Sequence, residues 1–193
     1  MRQKFSLIAV TLALAACSAA GQTTAFYFIS SPTSWVGHGE TRLVLPSEAS
    51  FAATRNVYNG VSLSINTGDP HFIWLLDFNA PNRVPLAVGT YLNAIRYPSY
   101  PPSLPGLNFS YDGRGDNTLT GYFDILEIQY GSGNSIVSFA ADFVQYDEGN
   151  MDWWNQGSIR FNSSLPIPEP AVPSLMIVGC AILLRKLCQG KTQ

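Results

Sequence analysis

The stretch Leu119-Thr120-Gly121-Tyr122-Phe123-Asp124-Ile125-Leu126-Glu127-Ile128-Gln129-Tyr130, then Gly131-Ser132-Gly133-Asn134, then Ser135-Ile136-Val137-Ser138-Phe139-Ala140-Ala141-Asp142-Phe143-Val144-Gln145-Tyr146, decides the fold class. Two long segments rich in aromatic and β-branched residues flank a short Gly/Ser/Asn segment, which is the pattern of a β-hairpin. Outward from it the same period of two recurs. Val61, Leu63 and Ile65 alternate with Ser62 and Ser64, and Phe72, Trp74, Leu76 and Phe78 alternate around Asp77. Half-buried strands alternate in this way. Further strands are predicted over 26–29, 41–45, 51–55, 89–93 and 158–162, with turns at Asn59-Gly60 and Asn155-Gln156-Gly157. Strands without intervening helical patterns predict one all-β domain, an antiparallel β-sandwich or a barrel-like sheet. Tyr97 to Gly106 carries too many prolines for a central strand and reads as an extended surface loop.

The ends of the chain differ from this middle. Met1 to Lys4 is positive, Phe5 to Ala16 is apolar, and Ser18-Ala19-Ala20 supplies small residues before Gly21, the layout of a secretory signal peptide over 1–20. Leu14-Ala15-Ala16-Cys17 also resembles a bacterial lipobox, in which Cys17 becomes the lipidated first residue. At the other end, Pro166-Ile167-Pro168-Glu169-Pro170 precedes an apolar run from Ala171 to Leu184 and the pair Arg185 and Lys186. Prolines bar helix up to Pro170, and the positive pair favours a cytoplasmic end for the run that follows. The exported all-β domain therefore spans 21–165 and the terminal segment 166–193.

Pro168, Glu169 and Pro170, the apolar run, and Arg185 with Lys186 resemble the PEP-CTERM sorting signal of Gram-negative bacteria. That resemblance implies processing by an exosortase-type enzyme at or near the motif, and a transient inner-membrane intermediate. It also implies delivery to the cell surface or extracellular matrix of an exopolysaccharide-making cell.

Charge restricts the partners of the middle domain. Between Gly21 and Pro166 there are six arginines, no lysine and twelve acids, a net of −6. Such a domain has no basic footprint for nucleic acid. Its cysteines also exclude internal disulfides, because Cys17, Cys180 and Cys188 all lie in the end segments.

No nucleophile, base and partner fall into a recognisable motif, and His38 and His71 stand in unrelated contexts, so no enzyme is expected. Asp124 and Glu127, the nearest thing to a glycosidase pair, are three apart on a strand and are expected on opposite faces. Arg114-Gly115-Asp116 spells an adhesion tripeptide and reads more simply as a glycine-rich turn. Trp35, Tyr97, Tyr100, Trp153 and Trp154 lie in or beside predicted loops, where exposed rings can stack on sugars; they are the candidate carbohydrate-binding set for an exopolysaccharide.

A second resemblance covers nearly the whole domain. Gly113-Arg114-Gly115-Asp116-Asn117, Leu119-Thr120-Gly121, Phe139-Ala140-Ala141-Asp142-Phe143, Tyr146-Asp147-Glu148-Gly149 and Gly157-Ser158-Ile159-Arg160-Phe161 are similar to exported bacterial domains of unknown function. Those domains often carry cysteine where Asp116 and Asp147 stand here. If those cysteines pair, the resemblance implies that Asp116 and Asp147 are neighbours. Two carboxylates so close repel or share a proton unless a cation neutralises them, and either Arg114 or Ca²⁺ could be that cation. Asp112, Asp116, Asp147 and Glu148 are accordingly the candidate Ca²⁺ ligands; no other cofactor is expected.

Overall fold

The structure is a computed structural model that describes residues 21–69, 72–98 and 101–168. The expected signal peptide with Cys17, and His71, Tyr100, Glu169, Pro170, Arg185 and Lys186, lie outside the described residues. Among the described residues there is no α-helix, and none therefore long and apolar enough to cross a membrane.

Ten strands form one curled sheet, shaped as an open half-barrel. They are β1 (Thr23–Ser30), β2 (Thr41–Val44), β3 (Ser50–Arg55), β4 (Val61–Asn66), β5 (Ile73–Asn79), β6 (Gly89–Arg96), β7 (Gly106–Tyr111), β8 (Leu119–Tyr130), β9 (Ile136–Asp147) and β10 (Trp154–Ser163). Their order across the sheet is β2-β1-β10-β9-β8-β6-β7-β5-β4-β3.

That order compels the curl. β2 and β3 are the two outermost strands, yet only Leu45 to Ala49 joins them. Ten strands laid flat would put those edges about 43 Å apart at ~4.8 Å per strand, whereas five linking residues reach only about 20 Å. The sheet must bend until its edges approach, and the bend closes its apolar face on itself. Phe28 of β1 accordingly lies 5.3 Å from Phe109 and 5.9 Å from Tyr111 of β7, five strands away in the sheet order. Trp74, stacked on Tyr111 at 4.9 Å, is fully buried in this core with Phe26, Phe78, Phe123, Phe139 and Phe143.

Three local expectations need correction. β7 was hidden behind the proline-rich stretch, although Leu107, Phe109 and Tyr111 do alternate with Asn108 and Ser110 and point into the core. Nor is the sheet wholly antiparallel: β6 runs parallel to β7 where Ile95 faces Gly106 and Arg96 faces Leu107. Finally, Asn155-Gln156-Gly157 is no turn but part of β10. Gly157 stands there because a Cβ would sit 2.5 Å from the Phe143 ring, so only glycine lets β9 and β10 share that space. Asn59-Gly60 does turn the chain, with Asn59 at φ 63° and Gly60 against the Phe78 carbonyl, which leaves no room for a side chain.

After β10 the chain folds back over the outer face of the sheet. Ser164 donates to Glu127 of β8 through its N–H and its hydroxyl, and Arg160 donates from Nε to the Pro166 carbonyl at 2.9 Å. Arg160 is thereby buried, and its charge is met by Asp142 at 2.9 Å. The segment leading to Pro168, which is itself exposed, thus leaves from a secured point.

Candidate functional site

Three connections meet at one end of the half-barrel: residues 31–40 between β1 and β2, 112–118 between β7 and β8, and 148–153 between β9 and β10. What draws them together is Asp147, the last residue of β9, which is fully buried. Its Oδ2 accepts from the Ser34 hydroxyl at 2.7 Å and from the Val36 N–H at 3.1 Å, and its Oδ1 accepts from Asn155 Nδ2 at 2.6 Å. Two elements distant in sequence are thus hung on one carboxyl group.

Asp116 meets Asp147 in hydrogen-bonding contact, as the second resemblance implied. It is only 3% exposed; Gln145 Nε2 donates to its Oδ2 at 2.8 Å, and no protein donor reaches its Oδ1. Two carboxyl groups bond to one another only if one carries a proton. Asp147 is surrounded by donors, so the proton belongs to Asp116. Burial, and then the Asp147 and Glu148 charges, push the Asp116 carboxyl up to about 8 against the opposing hydrogen bond from Gln145. One proton therefore joins the β7–β8 connection to Asp147.

The other two acids of the proposed calcium set are placed differently. Glu148 points along the rim, accepting from the Asn117 N–H at 2.9 Å and the Thr118 hydroxyl at 2.8 Å. Those bonds hold its carboxyl below the ordinary range. Asp112 sits at the tip of the turn after β7 with φ 53°. Among the described residues no group of three or more histidines, cysteines or acids gathers in a way that could hold a metal ion.

Over the acid pair lies a cleft of about 520 Å³. Trp35 and His38 form one wall, with rings 5.8 Å apart, Gly115 and Asn117 another, and Glu148 and Trp153 the third. Trp35 is 57% exposed. The walls are cross-tied, since the Thr33 hydroxyl donates to the Asp152 carbonyl at 3.0 Å and the Ser31 N–H to the Trp154 carbonyl at 2.8 Å. No family model, curated protein or solved structure matches this chain.

The candidate aromatic set is divided by the fold. Trp35 and Trp153 share the cleft; Trp154 is half-buried at the start of β10, opposite Tyr146. Tyr97 lies edge-on to Tyr58 and lines other hollows. His38 and Asn117 escaped the sequence reading as site residues, because neither stands in a motif and each gains a place only from what the other connections bring beside it. The adhesion reading of Arg114-Gly115-Asp116 fails on burial, since the Asp116 carboxyl faces inward.

Asp124 and Glu127 also need correction. The β8–β9 register pairs Ile125 with Ala141 and Glu127 with Ala140, leaving Leu126 as an extra residue. A bulge of this kind resets the alternation, so both acids lie on the outer face rather than on opposite faces. Each is tied to a neighbouring strand or its end: Asp124 accepts from the Thr90 hydroxyl at 2.5 Å, and Glu127 from Ser163 and Ser164.

Proposed function

We propose that this chain is an exported cell-surface or extracellular-matrix protein with a non-enzymatic binding role, and that its ligand is an exopolysaccharide held between Trp35 and Trp153. One observation carries the reading: two tryptophans far apart in the sequence share an open cleft with Asn117, His38 and Glu148. Apolar ring faces beside a few polar groups suit a sugar, which has an apolar C–H face and a hydroxyl edge. The rings stand on connections braced by a buried hydrogen-bond network, so little order must be gained on binding.

The test is retention on the host's own polymer. Trp35→Ala is expected to weaken it roughly tenfold, or about 1.4 kcal/mol, with a stability change within about 0.5 kcal/mol because the ring is largely exposed. Undiminished retention overturns the assignment of this cleft. Stacking on a neutral sugar releases no counterions, so this contribution should not vary with salt.

Sorting by a PEP-CTERM and exosortase-type route is the second half of the proposal, supported by Pro168-Glu169-Pro170, the short apolar run and Arg185-Lys186. Deletion of residues 171–193 is expected to release the protein into the medium. Mass spectrometry of the mature wild-type protein should find no peptide from Leu175 to Leu184; an intact C-terminus on cell-associated protein would indicate a retained anchor instead.

A further inference from the structure

The cleft does not end at its own rim. Asn117 lines it together with an adjoining hollow of about 340 Å³, Arg96 lines that hollow together with a third of about 490 Å³, and Gly115 returns the third to the first. A surface depression thus runs around the β7–β8 connection, with the two tryptophans on one side and Arg96, Tyr97 and Arg114 on the other.

The domain's other four arginines do not line these three hollows. Arg42 lies over Phe72 and Trp74, Arg55 is bonded to Asn59 over Tyr130, Arg83 lies over Tyr58, and Arg160 is paired with Asp142. Among the described residues, neither Arg96 nor Arg114 has an ion-pair partner within 4 Å or a side-chain hydrogen-bond acceptor. Arg114 is nonetheless held in position. Its guanidinium lies 5.1 Å from the centre of the Tyr111 ring, its backbone is bonded in both directions to Tyr111, and its Nε is sealed from water with no acceptor. A guanidinium fixed by stacking loses little freedom when it grips an anion.

Of the acids nearby, Glu148 bonds to Asn117 and Thr118 and feels the Arg96 charge, Asp77 bonds to Ser62 and Asn108, and Asp116, which also lines the hollow, is held by Gln145 beside Asp147. On a domain of net charge −6, this hollow gathers two cations, Arg96 and Arg114. The Tyr97 ring and the polar groups of Asn108 and Ser110 line the same space.

We infer that the hollow bounded by Arg96, Tyr97 and Arg114 is a subsite for an anionic sugar residue, one bearing a carboxylate or a sulfate ester, in a polymer whose neighbouring units lie in the tryptophan cleft. The planar guanidinium forks match the oxygens of either anion, the tyrosine face suits the ring, and Asn108 and Ser110 suit hydroxyls. The inference rests on the glycan reading of the tryptophan cleft, and the two can fail separately.

The experiment titrates the full-length protein with a six-unit β-1,4-glucan, with its C6-carboxylated form and with its 6-sulfated form. One or both anionic forms should bind at least about tenfold more tightly than the neutral one at low salt, and the advantage should vanish at high salt. The two arms show which anion is preferred. Arg96→Gln and Arg114→Gln should each remove most of the advantage while leaving neutral binding in place. Arg96 is exposed, so its variant reads the subsite even if Arg114→Gln disturbs the turn. Equal affinity for neutral and anionic forms, including no binding of either, overturns the subsite. An anionic advantage that survives both arginine changes overturns it too. Neutral binding that survives Trp35→Ala, with the arginine-dependent advantage intact, overturns the tryptophan cleft and leaves the anionic subsite standing.

Discussion

Asp147→Ala is expected to destabilise the domain by about 4 kcal/mol and to abolish glycan retention. The carboxyl group accepts from Ser34, Val36 and Asn155 and bonds to Asp116, all at a point that water does not reach. Each buried group left without its partner costs about 1–3 kcal/mol. Partial collapse and water entry keep the total below the sum. Against an overall stability of about 5–15 kcal/mol that is a large fraction. Urea unfolding measures it, and hydrogen exchange shows where it acts, with lost protection concentrated at Val36, Gly37 and Asn155. Asp147→Asn should fall between wild type and alanine, since it keeps the volume and one acceptor but turns an NH₂ toward donors. An alanine variant within about 1 kcal/mol of wild type would mean that these connections do not depend on the carboxyl group.

Asp116→Asn should do the reverse at alkaline pH and raise stability. Asp116 titrates at about 8 in the folded protein against an ordinary 3.8. Between those values the folded state holds a proton that the unfolded chain has released, so stability must fall as pH rises from about 4 to about 8. The contribution is fully present below 3.8 and lost above the folded value. The ceiling is about 1.4 kcal/mol per pH unit; screening and relaxation reduce the whole change to about 2 kcal/mol. Asparagine has the same shape, accepts from Gln145 with its oxygen and donates to Asp147 from Nδ2 without needing a proton. The variant should therefore lose most of the slope and exceed wild type near pH 8.5. A weaker slope of the same sign should remain from Asp77, whose carboxyl burial also pushes up against the bonds from Ser62 and Asn108. Below about 4.5 the trend reverses, because Glu127 and Glu148 sit below their ordinary value and lose their contribution on protonation. Calcium supplies the competing outcome: a bound ion raises the melting temperature by linkage, and a rise with millimolar Ca²⁺ that Asp116→Asn abolishes would replace the shared proton with a cation.

The proposed glycan binding and the expected pH dependence fall on the same small region, and their physical origins differ. Trp35 and Trp153 supply apolar faces whose value depends on exposure, whereas Asp116 and Asp147 supply bonds whose value depends on exclusion of water. The one proton between the acids links the wall that carries Trp35 to the wall that carries Gly115 and Asn117. Retention on polymer should therefore weaken above about pH 8, together with stability.

Alternation in Leu119 to Tyr146, in Val61 to Ile65 and around Asp77 was enough to declare an all-β domain, because a strand half in water writes its period into the residues themselves. The apolar and charged composition of the ends is the ground for expecting targeting segments there, on residues outside those the structure describes. β7 was missed because the prolines before Gly106 outweigh a six-residue alternation. Asp124 and Glu127 were assigned to opposite faces because a bulge adds a residue without altering any sequence pattern. What only the tertiary structure decided is adjacency. The edge-to-edge link through Leu45 to Ala49 forces the sheet to curl. That curl brings the two halves of the aromatic core together, while the pairing of β9 with β8 and β10 gathers three connections at one end. Asp116 beside Asp147, Trp35 across from Trp153, and Arg96 near Arg114 are consequences of strand order and register. Period and composition report what each residue prefers to face; which residue it meets there depends on contacts between segments far apart in the chain.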